Sequence, residues 1–371
     1  MFKNLLKNTD YLVLVCVFIL FAIGVVGIYS AGYATDINKD EYIKQIIWFS
    51  AVMVMIIIIW MIDYNTFSIF GYFLYIANLA LLVLVLFMPS LMGASSWFNL
   101  GGILYQPSEL MKIGYIVAAA KAMSIFKNLP KDNKKKKIII SMILVLLLAI
   151  PVTLILLQPD FGTAMVFLSI TLFMIFKIGI KYRYIILAMI LLAIAVPLVY
   201  NFVLNPTQQE RINVFINPTL DPLGSGYNAI QSKIAVGSGM LTGTGLLQGA
   251  QTQFGYLPIK STDFIFSVIS EELGFVASAG LIIVFVVLIL RLIRISRNAK
   301  DDFASLMVIG VAGMIFFHFV QNIGMTIGLL PITGVPLPFV SYGGSSLITN
   351  GLAIAIALNV SARKQKDVFL D

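Results

Sequence analysis

Apolar stretches long enough to cross a membrane recur from one end of the chain to the other, with short polar or charged connections between them. A spanning helix needs about 20 mostly apolar residues, whereas a barrel strand alternates apolar and polar positions over about ten. Ten stretches fit the helical description: Tyr11–Ala31, Ile43–Ile62, Phe67–Met88, Pro107–Phe126, Ile138–Leu157, Thr163–Ile180, Tyr184–Leu204, Asp263–Leu290, Ala304–Leu330 and Pro338–Val360. The pattern therefore predicts an all-α polytopic membrane protein with ten transmembrane helices, a single integral membrane domain over residues 1–371. The fourth stretch is the least apolar, because it carries Glu109, Lys112 and Lys121.

The longest connection runs from Asn205 to Thr262, between the seventh and eighth spans, and loops of this length are usually functional. Tyr227, Ile230 and Ile234 share one helical face there, which predicts a short helix lying on the membrane. The glycine-rich run Gly237–Gly245 has neither the spacing nor the lysine of a P-loop; its backbone amides could cradle a phosphate, with flexible packing against lipid headgroups as the plainer alternative.

Composition agrees with the pattern: 60% of the 371 residues are hydrophobic and 11% charged, a balance no soluble domain has. The net charge of +8 is not a nucleic-acid signal, because Lys and Arg concentrate in alternate connections. Lys3, Lys7, Lys127, Lys131, Lys134–Lys137, Lys177, Lys181, Arg183, Arg291, Arg294, Arg297, Lys300, Arg363, Lys364 and Lys366 fall on one side of a ten-span topology. Only Lys39, Lys44, Arg211, Lys233 and Lys260 fall on the other, with Lys112 in the adjoining helix. The positive-inside rule then places both termini in the cytoplasm and the long loop outside, and Lys134–Lys137 reads first as a topology signal. The first span is too long and too early for a cleaved signal peptide. The lone Cys16 excludes an intrachain disulfide and a cysteine metal site. The lone His318, inside an apolar run, reads as a packed structural residue and argues against a Ser-His-Asp triad.

Carboxylates gather at the outer ends of the spans. Asp263, Glu271 and Glu272 stand at the mouth of the eighth. Asp263 lies about 12 Å beyond Glu271 on a continuous helix, at the membrane surface or in a water-filled cavity, where an acid is a functional candidate. Helix capping by Thr262-Asp263 is the plainer alternative. On that helix Glu271 sits about 80° round from Asp263 and shares its cavity, while Glu272 points the opposite way. Glu109 and Lys112, three apart, share a face, with the Lys112 stem able to snorkel outward. Asp160, in the turn Gln158–Thr163, is placed to cap the sixth span. Leu330–Ser346 carries three prolines and three glycines at the membrane edge. Broken backbone there is tolerated only where protein or a water cavity surrounds it, so this segment should fold inward and face Asp263.

The run Asn322-Ile-Gly-Met-Thr-Ile-Gly-Leu-Leu-Pro-Ile-Thr-Gly-Val-Pro-Leu-Pro-Phe-Val-Ser-Tyr-Gly-Gly-Ser-Ser346 resembles the signature of the shape, elongation, division and sporulation (SEDS) proteins, the RodA/FtsW/SpoVE family. Gln106–Lys112, Gln158–Thr163, Glu210–Ile212, Thr262–Phe266 and Glu271–Gly274 are similar to its other blocks, in order over nearly the whole chain. Gly249-Ala-Gln-Thr-Gln253 looks more like the elongation branch, RodA. The resemblance implies ten spans and a glycosyltransferase that polymerises the lipid-linked peptidoglycan precursor, lipid II, on the outer face of the cytoplasmic membrane. It also implies a class B penicillin-binding protein as partner, docked on the eighth and ninth spans, where Gly274/Ser278 and Gly310/Gly313 permit close packing. By residue it points to Asp263 as the essential acid, with Glu109, Lys112 and Asp160 in the same cavity. Two positions depart from the pattern. Ser95 and Ser96 precede Trp97 where a basic residue is usual, and Ile259 follows Pro258 where an acid is usual, with Lys260 next to it as a compensating cation for Asp263 and the glutamates.

Glycan polymerisation needs a base for the acceptor hydroxyl and cations for the departing pyrophosphate. Asp263 suits the first need, and Lys112, Arg211, Lys233 and Lys260 the second. Glu109, Asp160, Glu271, Ser341 and Tyr342 complete the expected substrate-binding set. Carboxylate-plus-phosphate sites suit Mg²⁺ or Mn²⁺, though no residue pattern here demands either. A lipid II flippase needs polar groups near the midplane, whereas the charges here crowd one side. A non-catalytic scaffold of the cell-wall synthesis complex leaves the outer acids unexplained.

Overall fold

The computed structural model describes residues 2–33, 39–88, 96–101, 103–130, 132–179, 201, 209, 213–222 and 224–364. After a short helix α1 (Phe2–Asn8), long helices follow as α2 (Tyr11–Tyr33), α3 (Glu41–Met61), α4 (Asn65–Val85), α5 (Pro107–Asn128), α6 (Lys134–Leu156) and α7 (Phe161–Ile178). The long loop contributes α8 (Ser225–Ser238) and the single turn α9 (Ala250–Gln253), and the chain ends with α10 (Ile265–Arg297), α11 (Asp302–Thr326) and α12 (Gly344–Ala362). Nine of the ten expected spans are thus long helices, and eight of these are long and apolar enough to cross a membrane. The seventh expected span, Tyr184–Leu204, lies almost wholly outside the described residues.

The ninth of these helices, α5, has weak hydropathy because it faces protein rather than lipid. From Pro107 to Met123 nearly every residue is buried, among them Gly114, Ala118, Ala119, Ala120 and Ala122, whose small side chains let α4, α6, α7, α11 and α12 approach it. By contrast α6 is peripheral, with only Leu147, Pro151 and Ile155 buried. One element departs from the all-α expectation. A two-stranded antiparallel hairpin, β1 (Phe98–Leu100) with β2 (Ile103–Tyr105), turns at Gly101 and leads into α5, whose first residue is Pro107.

The sharpest local feature is a break in α10 at Gly274, whose φ of 76° and ψ of −171° suit glycine alone. The break strands helix carbonyls and amides, and the loop Gly239–Gly245 supplies their partners. Thr244 N and Gly245 N donate to Glu271 O and Glu272 O at 2.9 and 3.1 Å, while Phe275 N and Val276 N donate to Met240 O and Leu241 O at 2.8 and 3.1 Å. A Cβ on Gly239 or Gly243 would collide with the Ser270 or Glu272 carbonyl. Gly239 and Gly243 therefore serve backbone contact. Amides 244 and 245 are committed to the helix and that of Gly243 to Gly239 O, so these three are not available to cradle a phosphate.

The expected loop helix forms as α8, with a different face inward. Ser232 and Ala235 are buried, and Ser232 Oγ lies 2.7 Å from Ser267 Oγ and donates to Thr326 O at 2.8 Å. Ile234 is left exposed.

Candidate functional site

Asp263 does not belong to the helix that follows it. The residue preceding α10 is Phe264, and no side chain caps it, so the capping alternative fails. Instead Asp263 sits in a turn held by the Pro/Gly segment. Ser341 Oγ donates to Thr262 O at 2.6 Å and accepts from Leu337 N at 2.8 Å, and Tyr342 N donates to Ser261 O at 2.9 Å. Asn322 Nδ2 donates to both Asp263 O and Val335 O at 2.9 Å, which clamps the turn to the segment. Gly334, at φ 68°, has its Cβ direction 3.4 Å from Asp263 Oδ2. Leu330–Ser346 thus does fold inward against Asp263. Burial pushes the Asp263 carboxyl up to about 6, opposed by a hydrogen bond from the Thr262 side chain. Among the described residues it meets no cation within ion-pair reach.

Across the same segment stands a second polar cluster. Lys112 is fully buried, and its Nζ donates to Glu109 Oε1 at 2.8 Å and lies 3.1 Å from His318 Nε2. His318 Nδ1 in turn lies 3.0 Å from Pro336 O. With Lys112 as donor to Nε2, the proton belongs on Nδ1, and the neutral ring links the cation to the Pro/Gly segment. Lys112 therefore does not snorkel outward; it is held inside the bundle. Asp160 caps α7 as expected, accepting from Thr163 N at 3.0 Å, and also accepts from Gln106 Nε2 at 3.1 Å. Burial raises its pKa, countered by the Thr163 donors and Lys112. Gly162 packs against Thr333 and Val335, so this turn abuts the segment too. Glu109 Oε2, Asn322 Oδ1 and Thr333 Oγ1 are buried without a protein hydrogen-bond partner, leaving acceptors on both sides of the segment for substrate or water.

Glu271 and Lys260 lie elsewhere. Glu271 accepts from Gln251 N at 2.8 Å, Thr252 N at 3.0 Å and Thr252 Oγ1 at 2.7 Å, and is buried. Glu272 accepts from Leu247 N at 3.1 Å and from Gln253 Nε2 at 2.8 Å, the latter side chain also reaching Ser30. Lys260 Nζ is buried on Thr252 O at 2.7 Å, its pKa lowered by burial against the pull of Glu272 and Glu271. These three fasten the loop, so Glu271 does not share a cavity with Asp263 and Lys260 is not its counter-ion. The expectation failed because it assumed one continuous helix from Asp263 through Glu272.

Among the other expected site residues, Ser341 has both roles of its hydroxyl filled by backbone and positions the turn. Tyr342 is part-buried, its phenol pKa raised by burial and by Glu41. Lys233 is exposed on α8, its stem against Gly328. Arg211 lies outside the described residues. Sequence reasoning missed Gln45, whose amide donates to Ser341 O at 2.9 Å, as well as Gln106, Asn322 and the linking role of His318. Buried amides in apolar runs were the available signal. Among the described residues no three His, Cys, Asp or Glu side chains converge.

The small-residue pairs also face inward. A Cβ on Gly310 would strike Met174, one on Gly313 would press on Phe173, and Ser278 Oγ bonds Ser270 Oγ at 2.9 Å. They pack the bundle and are not a partner face.

Comparison with known proteins places these features in context. The family model FTSW_RODA_SPOVE, described as cell cycle protein, matches residues 10–366. The peptidoglycan glycosyltransferase RodA of Treponema pallidum is 33% identical, with 96% of this chain and 98% of that protein covered. The peptidoglycan glycosyltransferase MrdB of Escherichia coli K12 is 37% identical over 79% of this chain and 78% of its own length. A chain from a solved peptidoglycan synthase complex, described as coordinating polymerization and crosslinking, superposes with a TM-score of 0.82 at 30% identity, covering 97% of this chain and 99% of its own.

Proposed function

The chain belongs to the FtsW/RodA/SpoVE family of cell cycle proteins, and from that premise we propose that it is a peptidoglycan glycosyltransferase polymerising lipid II, with Asp263 as general base. One observation supports the residue assignment above the rest. Asp263 is the acid of the eighth-span mouth whose carboxylate, among the described residues, makes no structural hydrogen bond beyond Thr262, while its turn is clamped by Asn322 and Ser341. A raised pKa makes it a stronger base than a free carboxylate, and the clamp fixes where the proton is accepted. Asp263 takes the proton from the acceptor sugar hydroxyl as that oxygen attacks the donor's anomeric carbon, and the lipid pyrophosphate departs with the bonding pair. Lys233 and Arg211 remain as cations for the departing group. Lys112 acts through His318 and the segment's backbone.

The loop charges support an integral protein of the cytoplasmic membrane with both termini inside and the Asp263 turn outside. The partner in this reading is a class B penicillin-binding protein. The exposed apolar face of α10, with Phe275, Val276, Ile283, Val286 and Leu290, suits a single transmembrane helix. The test is to incubate purified protein with labelled lipid II. Wild type should give polymer and Asp263→Asn none. Lipid movement without polymer would favour the flippase, and polymer at the wild-type rate from Asp263→Asn would move the base elsewhere.

A further inference from the structure

The lysine run of the inner connection is left unexplained by catalysis, and topology needs only its charge. Beside it lies a groove of about 510 Å³ between the C-terminal end of α5 and the first turns of α6, lined by Phe126, Lys137, Ile138, Ser141, Met142, Val145 and Leu146. Its α6 wall is exposed to the bilayer, with Ile138, Met142, Val145 and Leu146 between 53% and 65% accessible. From Lys137 to Leu146 it extends about 13 Å along the helix, nearly the hydrocarbon depth of one leaflet.

Charge sits at one end only. Lys134, Lys135 and Lys136 are exposed, and among the described residues none of Lys134–Lys137 meets a carboxylate within ion-pair distance. Neighbouring Lys127, by contrast, pairs with Asp302 at 2.6 Å. Lys137 Nζ lies 6.0 Å from the Phe126 ring centroid, so the same residue joins the charged end to the apolar floor. The one polar side chain in the floor, Ser141, is turned back onto Lys137 O at 2.9 Å. Four like charges in one helical turn repel one another, and a neighbouring anion relieves them.

We propose that this groove is a binding site for an anionic phospholipid, one acyl chain lying along Ile138–Leu146 and the phosphate held by Lys134–Lys137. A soluble polyanion would satisfy the lysines and leave the groove bare; a zwitterionic lipid would fill the groove without net attraction to the lysines. Only an anionic lipid matches both ends. The leaflet, cytoplasmic, follows from the orientation proposed above, whereas the site itself does not depend on it or on the catalytic reading.

The experiment uses the full chain in nanodiscs with Met142→Trp as reporter and the parent protein, with Trp48, Trp60 and Trp97, as background. Phosphatidylglycerol with brominated chains should quench the reporter at a lower mole fraction than brominated phosphatidylcholine, by about fivefold for each lysine engaged. The double variant Lys134→Gln, Lys137→Gln should lose most of that preference while keeping Lys135 and Lys136 as the topology signal. Lys127→Gln should keep the preference, because that residue already has a partner. Soluble glycerol phosphate should not reverse the quenching. Equal quenching by the two lipids would reduce the groove to ordinary lipid contact and overturn the proposal. So would an undiminished preference in the double variant, or displacement by the free phosphate.

Discussion

Asp263 and the pair Glu271–Glu272 lie within ten residues of one another, and the fold treats them in opposite ways. The two glutamates are buried and their carboxylates filled by loop donors, from Gln251, Thr252, Leu247 and Gln253. Asp263 is held by its main chain, through Asn322, while its carboxylate stays available. Proximity in sequence made the three look alike. What separates them is which atoms are committed: a side chain filled by backbone amides is a fastener, and one fixed through its own carbonyl is free to act.

That contrast can be broken most decisively at Asp263. Asp263→Asn should lower polymerisation by at least about 10²–10⁴-fold, the worth of a positioned base, with folding and membrane insertion intact. Loss of folding in that variant would instead make Asp263 a fastener too. Glu271→Ala should do the reverse, lowering stability by about 2–4 kcal/mol in thermal or denaturant unfolding as two amides and a hydroxyl lose their acceptor. Limited proteolysis should then cut the loop near Gln251, which stays protected in Asp263→Asn. Asn322→Ala should fall between, weakening the clamp by about 1–3 kcal/mol and lowering kcat more than it raises KM. Rescue by Asn322→Gln, even in part, would mark positioning as its role.

The smallest effect concerns pH. Because burial raises the Asp263 pKa to about 6, the folded protein binds this proton more tightly than the unfolded chain does. The stability it confers is complete below the unfolded carboxylate pKa and lost as pH rises through about 6. At neutral pH Asp263→Asn should therefore unfold up to about 2 kcal/mol harder than wild type, allowing for partial hydration of the carboxylate, and the gain should vanish near pH 4. The wild-type rate should rise about tenfold per pH unit below 6 and flatten above it, the working base being the ionised form.

Much of the architecture was legible because lipid imposes a crude rule: a run of apolar residues of sufficient length is a helix. Even α5, least apolar of the long helices, was found, and its buried alanines show why hydropathy understates a helix that meets protein on all sides. The inward fold of Leu330–Ser346 was readable from its prolines. What could not be read was direction. Asp263 stands in the turn before α10 begins at Ile265, so helical spacing counted from it misplaces Glu271 and Glu272, and nothing in the sequence marks that later start. The burial of Lys112 was hidden for a related reason, since its partner His318 lies on a helix two hundred residues on.

The joint at Gly274 has a consequence for how this stretch tolerates change. Its four pairing bonds run from main chain to main chain, Thr244 Oγ1 adding one more to Glu271 O at 3.1 Å, and the side chains of Met240 and Leu241 point away, 80% and 67% accessible. Substitution at those two positions leaves the joint untouched, whereas inserting or deleting a single residue between Met240 and Gly245 misaligns the pairing at once. Mutational tolerance here should follow chain length, not chemistry: permissive to replacement, intolerant of insertion, with Gly239, Gly243 and Gly274 as the fixed points.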